Sequence, residues 1–363
     1  MPFSHTPAAP LRASGPEPGL RVVAIGGGTG LSTLLKGLKK YVTTALDPPV
    51  FSEFQADAWP GSQLDPMPRI SELSAVVTVS DDGGSSGRLR KDFNMLPPGD
   101  IRNCIVALSQ DDATLSRLFQ HRFAKGSGLE GHSFGNLFLA ALTSITGDFS
   151  EAVRLSSEIL ATRGRIYPAT VSNVELEAQM DDGTRVRGES QITASKGRIR
   201  ALSLIPADVE PLGETLDAIS RADLITIGPG SLFTSLIPNL LVHGIAEAIA
   251  QSPARKVYIC NLMTQANESL GRSAADHIRA LTEHAGRKIF DFALINRISA
   301  SDELKSRYSR EGATEVIADI EAVNAMGVQA VMGDYMVEGD VARHDTDKLA
   351  IDLLRLAKSA PVA

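Results

Sequence analysis

The segment SDDGGSSGRLRK, Ser80 to Lys91, gathers acids, glycines, hydroxyls and cations directly behind the apolar run Leu73–Val79. Backbone N–H groups at Gly83 and Gly84, with Ser85 and Ser86, can face anionic oxygens. Arg88, Arg90 and Lys91 can pair with the same oxygens. Asp82 stands where an acid can accept a ribose hydroxyl, and Asp81 is the candidate ligand for Mg²⁺. The bland alternative is a polar surface turn with solvated charges.

Other segments carry related chemistry. GGGTG, comprising Gly26, Gly27, Gly28, Thr29 and Gly30, follows the strand-like LRVVAI and opens a helix, a setting that favours phosphate. Leu31 stands where the dinucleotide fingerprint requires glycine, and no Gly-Lys-Ser/Thr follows, so neither NAD nor ATP is specified. GPGSLFTS, with Gly228, Gly230, Ser231 and Thr234, reads as a second anion cradle or as plain helix capping. PPGDIRN supplies Asp100 and Asn103, with a simple N-cap as the competing reading. GHSFGN supplies His132 and Asn136, and a lone histidine is as readily structural as functional. NLMTQ supplies Asn261 and Thr264, and Asn296 closes FALIN. There is no G-x-S-x-G elbow, HExxH motif or Cys/His ligand set, so no catalytic residue can be named.

Five of these segments share a position. GGGTG, DDGGSSGRLR, GPGSLFTS, NLMTQ and Asn296 lie behind the apolar strands RVVAI, AVVTVS, DLITI, KVYIC and FALI respectively. In an open parallel sheet, ligands bind beyond the carboxyl ends of the strands, so several segments point to one crevice. Strands alternate with helical patterns over residues 20–165 and 205–363. The fold class is therefore α/β, a Rossmann-like, doubly wound, mostly parallel sheet. Residues 166–204 differ: NVELEAQMDDGTRVRGESQIT alternates apolar and polar around Asp-Asp-Gly, which predicts a small inserted antiparallel β subdomain. Residues 1–19 read as a disordered tail, and the proline-rich segment 47–70 as a surface insertion.

Composition narrows the class. The chain has 363 residues, 43% hydrophobic, enough for a sizeable core. A net charge of −7 without charge blocks argues against a nucleic-acid partner. Two cysteines in apolar stretches fit a reducing compartment. Leu224–Ala250 is apolar but interrupted by Pro229, Gly230, Pro238 and His243, so the expectation is a cytoplasmic protein with no membrane span. Oligomeric state is open, and a homo-oligomer is compatible with the sequence.

GGGTGLSTLLKGLKK, VSDDGGSSGRLRKDF, LPPGDIRNCIVAL, GHSFGNLFLAALT, GPGSLFTSLIPNLLV and YICNLMTQANES together resemble the YvcK-type gluconeogenesis factors, relatives of the CofD 2-phospho-L-lactate transferases. The resemblance runs from about Leu20 to the C-terminus. It implies a Rossmann-like core, a UDP-sugar or other nucleotide ligand, a role in growth on gluconeogenic carbon sources, and a role in cell shape and cell-wall homeostasis. The transferase branch implies the alternative: moving a phospholactyl group from a nucleotide-activated donor to a deazaflavin, with Mg²⁺. NLMTQANES and the segment Arg343 to Thr346 look like the gluconeogenesis-factor branch. They imply Arg343 as a nucleotide contact and Thr346 as a regulated hydroxyl. Aromatics are only 5% of the chain, which tilts the reading away from a deazaflavin acceptor.

Overall fold

A computed structural model of the chain describes residues 19–43, 67–110, 113–195 and 197–359. Nearly all of the tail assigned to 1–19, and most of the insertion assigned to 47–70, lie outside the described residues.

The main sheet has seven strands: β1 (Leu20–Gly26), β2 (Ile70–Val77), β3 (Arg165–Pro168) and, after a three-stranded sheet made by β4 (Glu175–Met180), β5 (Arg185–Arg187) and β6 (Ile199–Ile205), β7 (Leu224–Ile227), β8 (Arg255–Ile259), β9 (Phe292–Asn296) and β10 (Gln329–Gly333). Their order is β10-β9-β8-β7-β1-β2-β3, and every pair is parallel. The chain therefore runs outward from β1 to β3, returns to the other side of β1, and runs outward again to β10. That reversal between β1 and β7 is the topological switch point of a doubly wound fold, as expected from the alternating pattern. Val22 to Ile25 and all of Leu224–Ile227 are buried, and all but Thr226 are apolar, as expected of strands covered by helices on both faces. A two-stranded ribbon, β11 (Met336–Val337) with β12 (Arg343–His344), precedes the last helix, Thr346–Lys358.

The three-stranded sheet is antiparallel, in the order β5-β4-β6, and Asp181, Asp182 and Gly183 lie in its first turn. Its boundary differs from the expected 166. Ile166 pairs with Ala75 in the main sheet, so the third main strand takes Arg165–Pro168 and the smaller sheet starts at Glu175. RIYP is four residues long, too short to show a period, which is why the strand was illegible.

The second strand also ends early. Its ladder stops at Val77, leaving Thr78 to Gly83 as a loop before the helix Gly84–Phe93. Asp81 and Asp82 consequently sit on a turn and not on opposite faces of a strand.

No single helix among the described residues is long and apolar enough to cross a membrane.

Candidate functional site

The glycine loops behind β1 and β7 meet each other. A Cβ at Gly30 would stand 2.3 Å from the Pro229 carbonyl oxygen, and one at Gly27 would stand 2.8 Å from Asp100 Oδ2. These glycines permit loop-on-loop packing, and GGGTG is not a wide-open cradle.

Part of its donor set is already used. Gly28 donates its N–H to Asp100 Oδ2 at 2.7 Å. Asp100 lies in the first turn of helix Gly99–Leu108, and burial pushes its carboxyl up to about 6, against the opposing pull of the Gly28 bond. The N–H groups of Thr29 and Gly30 find no acceptor among the described residues.

GPGSLFTS departs further from expectation. Phe233 and Thr234 donate their N–H groups to Glu268 Oε1 at 2.7 and 3.0 Å. Asn261 clamps Gly230 from both sides, accepting its N–H and donating to its carbonyl, and Gln265 donates to Ser231 Oγ. Gly228 lies in the same turn, just before this clamp. Glu268 is buried and its carboxyl is held above the usual range by burial. The amides of Gly230, Phe233 and Thr234 thus serve the protein's own carboxylate and side chains, which narrows the expected anion cradle of GPGSLFTS to the N–H groups of Ser231 and Leu232.

The Ser80–Lys91 segment is different. Gly83 gives its N–H to Asp81 Oδ1 at 2.9 Å, a local turn bond. The next three N–H groups, of Gly84, Ser85 and Ser86, begin the helix and find no acceptor among the described residues; no side chain caps them. Gly84 has φ +47 and open space where a Cβ would be. Unpaired first-turn donors with the positive helix end behind them favour an anion.

Ser85 is backed by GHSFGN. Asn136 Nδ2 donates to Ser85 Oγ at 3.0 Å, and that oxygen lies 2.9 Å from His132 Nδ1. Burial, aided by the Arg88 charge, lowers the His132 pKa, which favours the neutral ring. Asn136 Oδ1 is buried and has no partner. His132 and Asn136 therefore join the Ser85 turn, a contact between segments 47 and 51 residues apart. Arg88 donates instead to the Glu130 carbonyl at 2.7 Å.

Asp82 also has work elsewhere. Its Oδ1 accepts the Ser190 N–H at 2.9 Å, capping the short helix Glu189–Ala194 of the inserted unit. Beside it, Glu189 Oε2 accepts from Ser80 Oγ at 3.3 Å. Burial pushes the Glu189 carboxyl up to about 9, with the charges of Asp81 and Asp100 adding to the rise. Sequence reasoning missed Glu189 and Glu268. Both act across long sequence separations, and only the position of Glu189 at a helix start behind a hairpin could have drawn notice.

The remaining candidates are structural neighbours. Asn103 Oδ1 accepts from Arg102 at 2.6 Å. Thr264 exchanges backbone and hydroxyl bonds with Thr314. Asn296 holds Ile298 and Tyr335 through its amide. Asn261 and Asn296 nevertheless line one cavity of about 280 Å³ beyond β8 and β9, together with Arg297, Ser299 and Glu315. Arg343 lies in β12, outside that lining. Among the described residues, no three acid, histidine or cysteine groups are placed to hold a metal ion. Asp81, put forward for Mg²⁺, is tied to its own turn through the Gly83 N–H.

The chain matches the family described as 2-phospho-L-lactate transferase CofD over residues 22–336. It is 47% identical over 335 residues to the gluconeogenesis factor of Halalkalibacterium halodurans, a match covering 92% of this chain and 95% of that protein. It is likewise 47% identical over 339 residues to the gluconeogenesis factor of Bacillus subtilis, covering 93% and 98%. A crystal structure of a Bacillus halodurans protein of the UPF0052 family superposes with a TM-score of 0.83 at 45% identity, covering 93% of this chain and 99% of that one. The chain belongs to the CofD family, on the side of its YvcK-type gluconeogenesis factors.

Proposed function

We propose that the protein binds a nucleotide sugar of the UDP-sugar type in this crevice. In that role it is a cytoplasmic regulator of growth on gluconeogenic carbon and of cell shape. The observation that carries the reading is the helix start at Gly84–Ser86. It has three unpaired N–H donors, no capping side chain, and a serine fixed from behind by His132 and Asn136. Backbone donors converging at a helix N-terminus suit the diphosphate of a nucleotide sugar.

A phospholactyl-type transferase is the second reading. The family description supports it, as do two carboxyls, Asp100 and Glu189, whose pKa values burial raises to about 6 and about 9.

Calorimetric titration with UDP-glucose, UMP and NADH tests the first reading. UDP-glucose is expected to bind at a Kd between roughly micromolar and millimolar, with UMP weaker and NADH silent. NADH binding with no uridine nucleotide bound would overturn it. Nucleotide release from a phospholactyl-nucleotide donor in the presence of a deazaflavin would establish the second.

A further inference from the structure

A second polar cavity, of about 520 Å³, lies between the helix Gly84–Phe93 and the inserted three-stranded sheet. It is separate from the cavity beyond β8 and β9, and the two share no lining residue. Asp82 forms part of its wall. The Asp82 bond to Ser190 fixes one oxygen, and a Cβ at Gly188, where φ is +86, would stand 2.5 Å from the other. Only glycine leaves that side of the cavity clear.

The lining states what would fill it. Three cations, Arg90, Lys91 and Arg187, face two acids, Asp82 and Glu175. Arg90 is committed to the Val174 carbonyl and Arg187 to Glu177, whereas Lys91 is exposed and forms no ion pair among the described residues. Glu175 likewise forms no ion pair among the described residues, and Lys91 is the cation left to meet a terminal anionic group. Asn173 and Gln191 are exposed amides, able to donate to and accept from hydroxyls. Ile205 is the one apolar side chain of the lining, so an aromatic or acyl ligand has nothing to bury against.

We propose that this cavity is a second ligand site, for a small phosphorylated sugar or polyol, with Lys91 meeting the phosphate and Asn173 and Gln191 the hydroxyls. The site stands on its own lining and does not depend on the nucleotide reading. It joins the inserted unit to the helix whose start is the candidate anion site, so a molecule bound there would touch both.

Calorimetry on the full chain with glucose 6-phosphate, glycerol 3-phosphate, glucose and inorganic phosphate tests this. Glucose 6-phosphate or glycerol 3-phosphate should bind, with glucose and inorganic phosphate at least about tenfold weaker. Lys91→Glu should weaken binding roughly ten- to hundredfold. Gln191→Trp, which fills the cavity from an exposed position, should abolish it while leaving UDP-glucose affinity unchanged. Thermal melts of both variants confirm that they fold. Absence of binding up to about 10 mM, or binding that survives both substitutions, would overturn the site. Equal affinity for inorganic phosphate would reduce it to a general anion contact, and competition by UDP-glucose would place the sugar phosphate in the crevice instead; either result also defeats the proposal.

Discussion

The carboxyl of Asp100 accepts the N–H of Gly28 at 2.7 Å, so the first glycine loop carries an anion of the protein's own. A ligand phosphate brought to that donor would meet a competing carboxylate. Asp100→Asn keeps the shape and an acceptor for Gly28 but removes the charge. UDP-glucose should then bind as tightly as to wild type or more tightly, by calorimetry at neutral pH. A loss of roughly tenfold or more, equivalent to about 1.4 kcal/mol, would show that Asp100 meets the ligand directly.

Asp82, expected to accept a ribose hydroxyl, makes a structural bond with one of its two carboxylate oxygens. Its carboxylate caps helix Glu189–Ala194 from across the fold. Asp82→Ala should cost about 0.5–2 kcal/mol of stability, as loss of an N-cap does, read as a lower urea midpoint. Faster hydrogen exchange should accompany it at Ser190. Asp82→Asn should retain most of that stability. If Asp82→Asn instead keeps full stability and loses roughly ten- to hundredfold in nucleotide affinity, the ribose role returns.

Glu189 gives a pH signature. Its folded pKa, raised to about 9 by burial and neighbouring acids, exceeds the ordinary glutamate value. The folded state therefore holds a proton that the unfolded chain releases at lower pH. Stability from this group is complete below the unfolded value of about 4.3 and is lost as pH rises through about 9. Glu189→Gln cannot ionise, so its stability should fall less than that of wild type as pH rises from acid to alkaline. Parallel stability curves for the two proteins would contradict the assignment.

Much of this fold was legible because its signals are local. Apolar runs such as RVVAI and DLITI, each followed by glycine or polar loops, marked the parallel sheet and the end where its loops gather. The Asp-Asp-Gly turn marked the inserted hairpin. What was illegible depends on partners far apart in sequence. Asp100 reaches Gly28 across 72 residues, Asp82 reaches Ser190 across 108, and Glu268 reaches Phe233 across 35. Sequence shows that a loop can hold an anion; it does not show that the chain supplies one itself. GPGSLFTS and SDDGGSSG both combine glycine with serine, yet of the two only the second leaves three consecutive N–H donors open at a helix start.

That contrast rests most directly on Gly84. Its φ of +47 is a region that asparagine and aspartate tolerate better than other side-chain-bearing residues, and nothing stands within 4 Å of its absent Cβ. Asparagine and aspartate at this position have nearly the same shape and differ in charge. Calorimetric titration of UDP-glucose into Gly84→Asp and Gly84→Asn, both checked for an unchanged fold by circular dichroism, isolates the anion site. Binding should disappear in Gly84→Asp, whose carboxylate occupies the helix start, and persist within about tenfold in Gly84→Asn. Equal affinity in the two variants would contradict the account and place the diphosphate elsewhere.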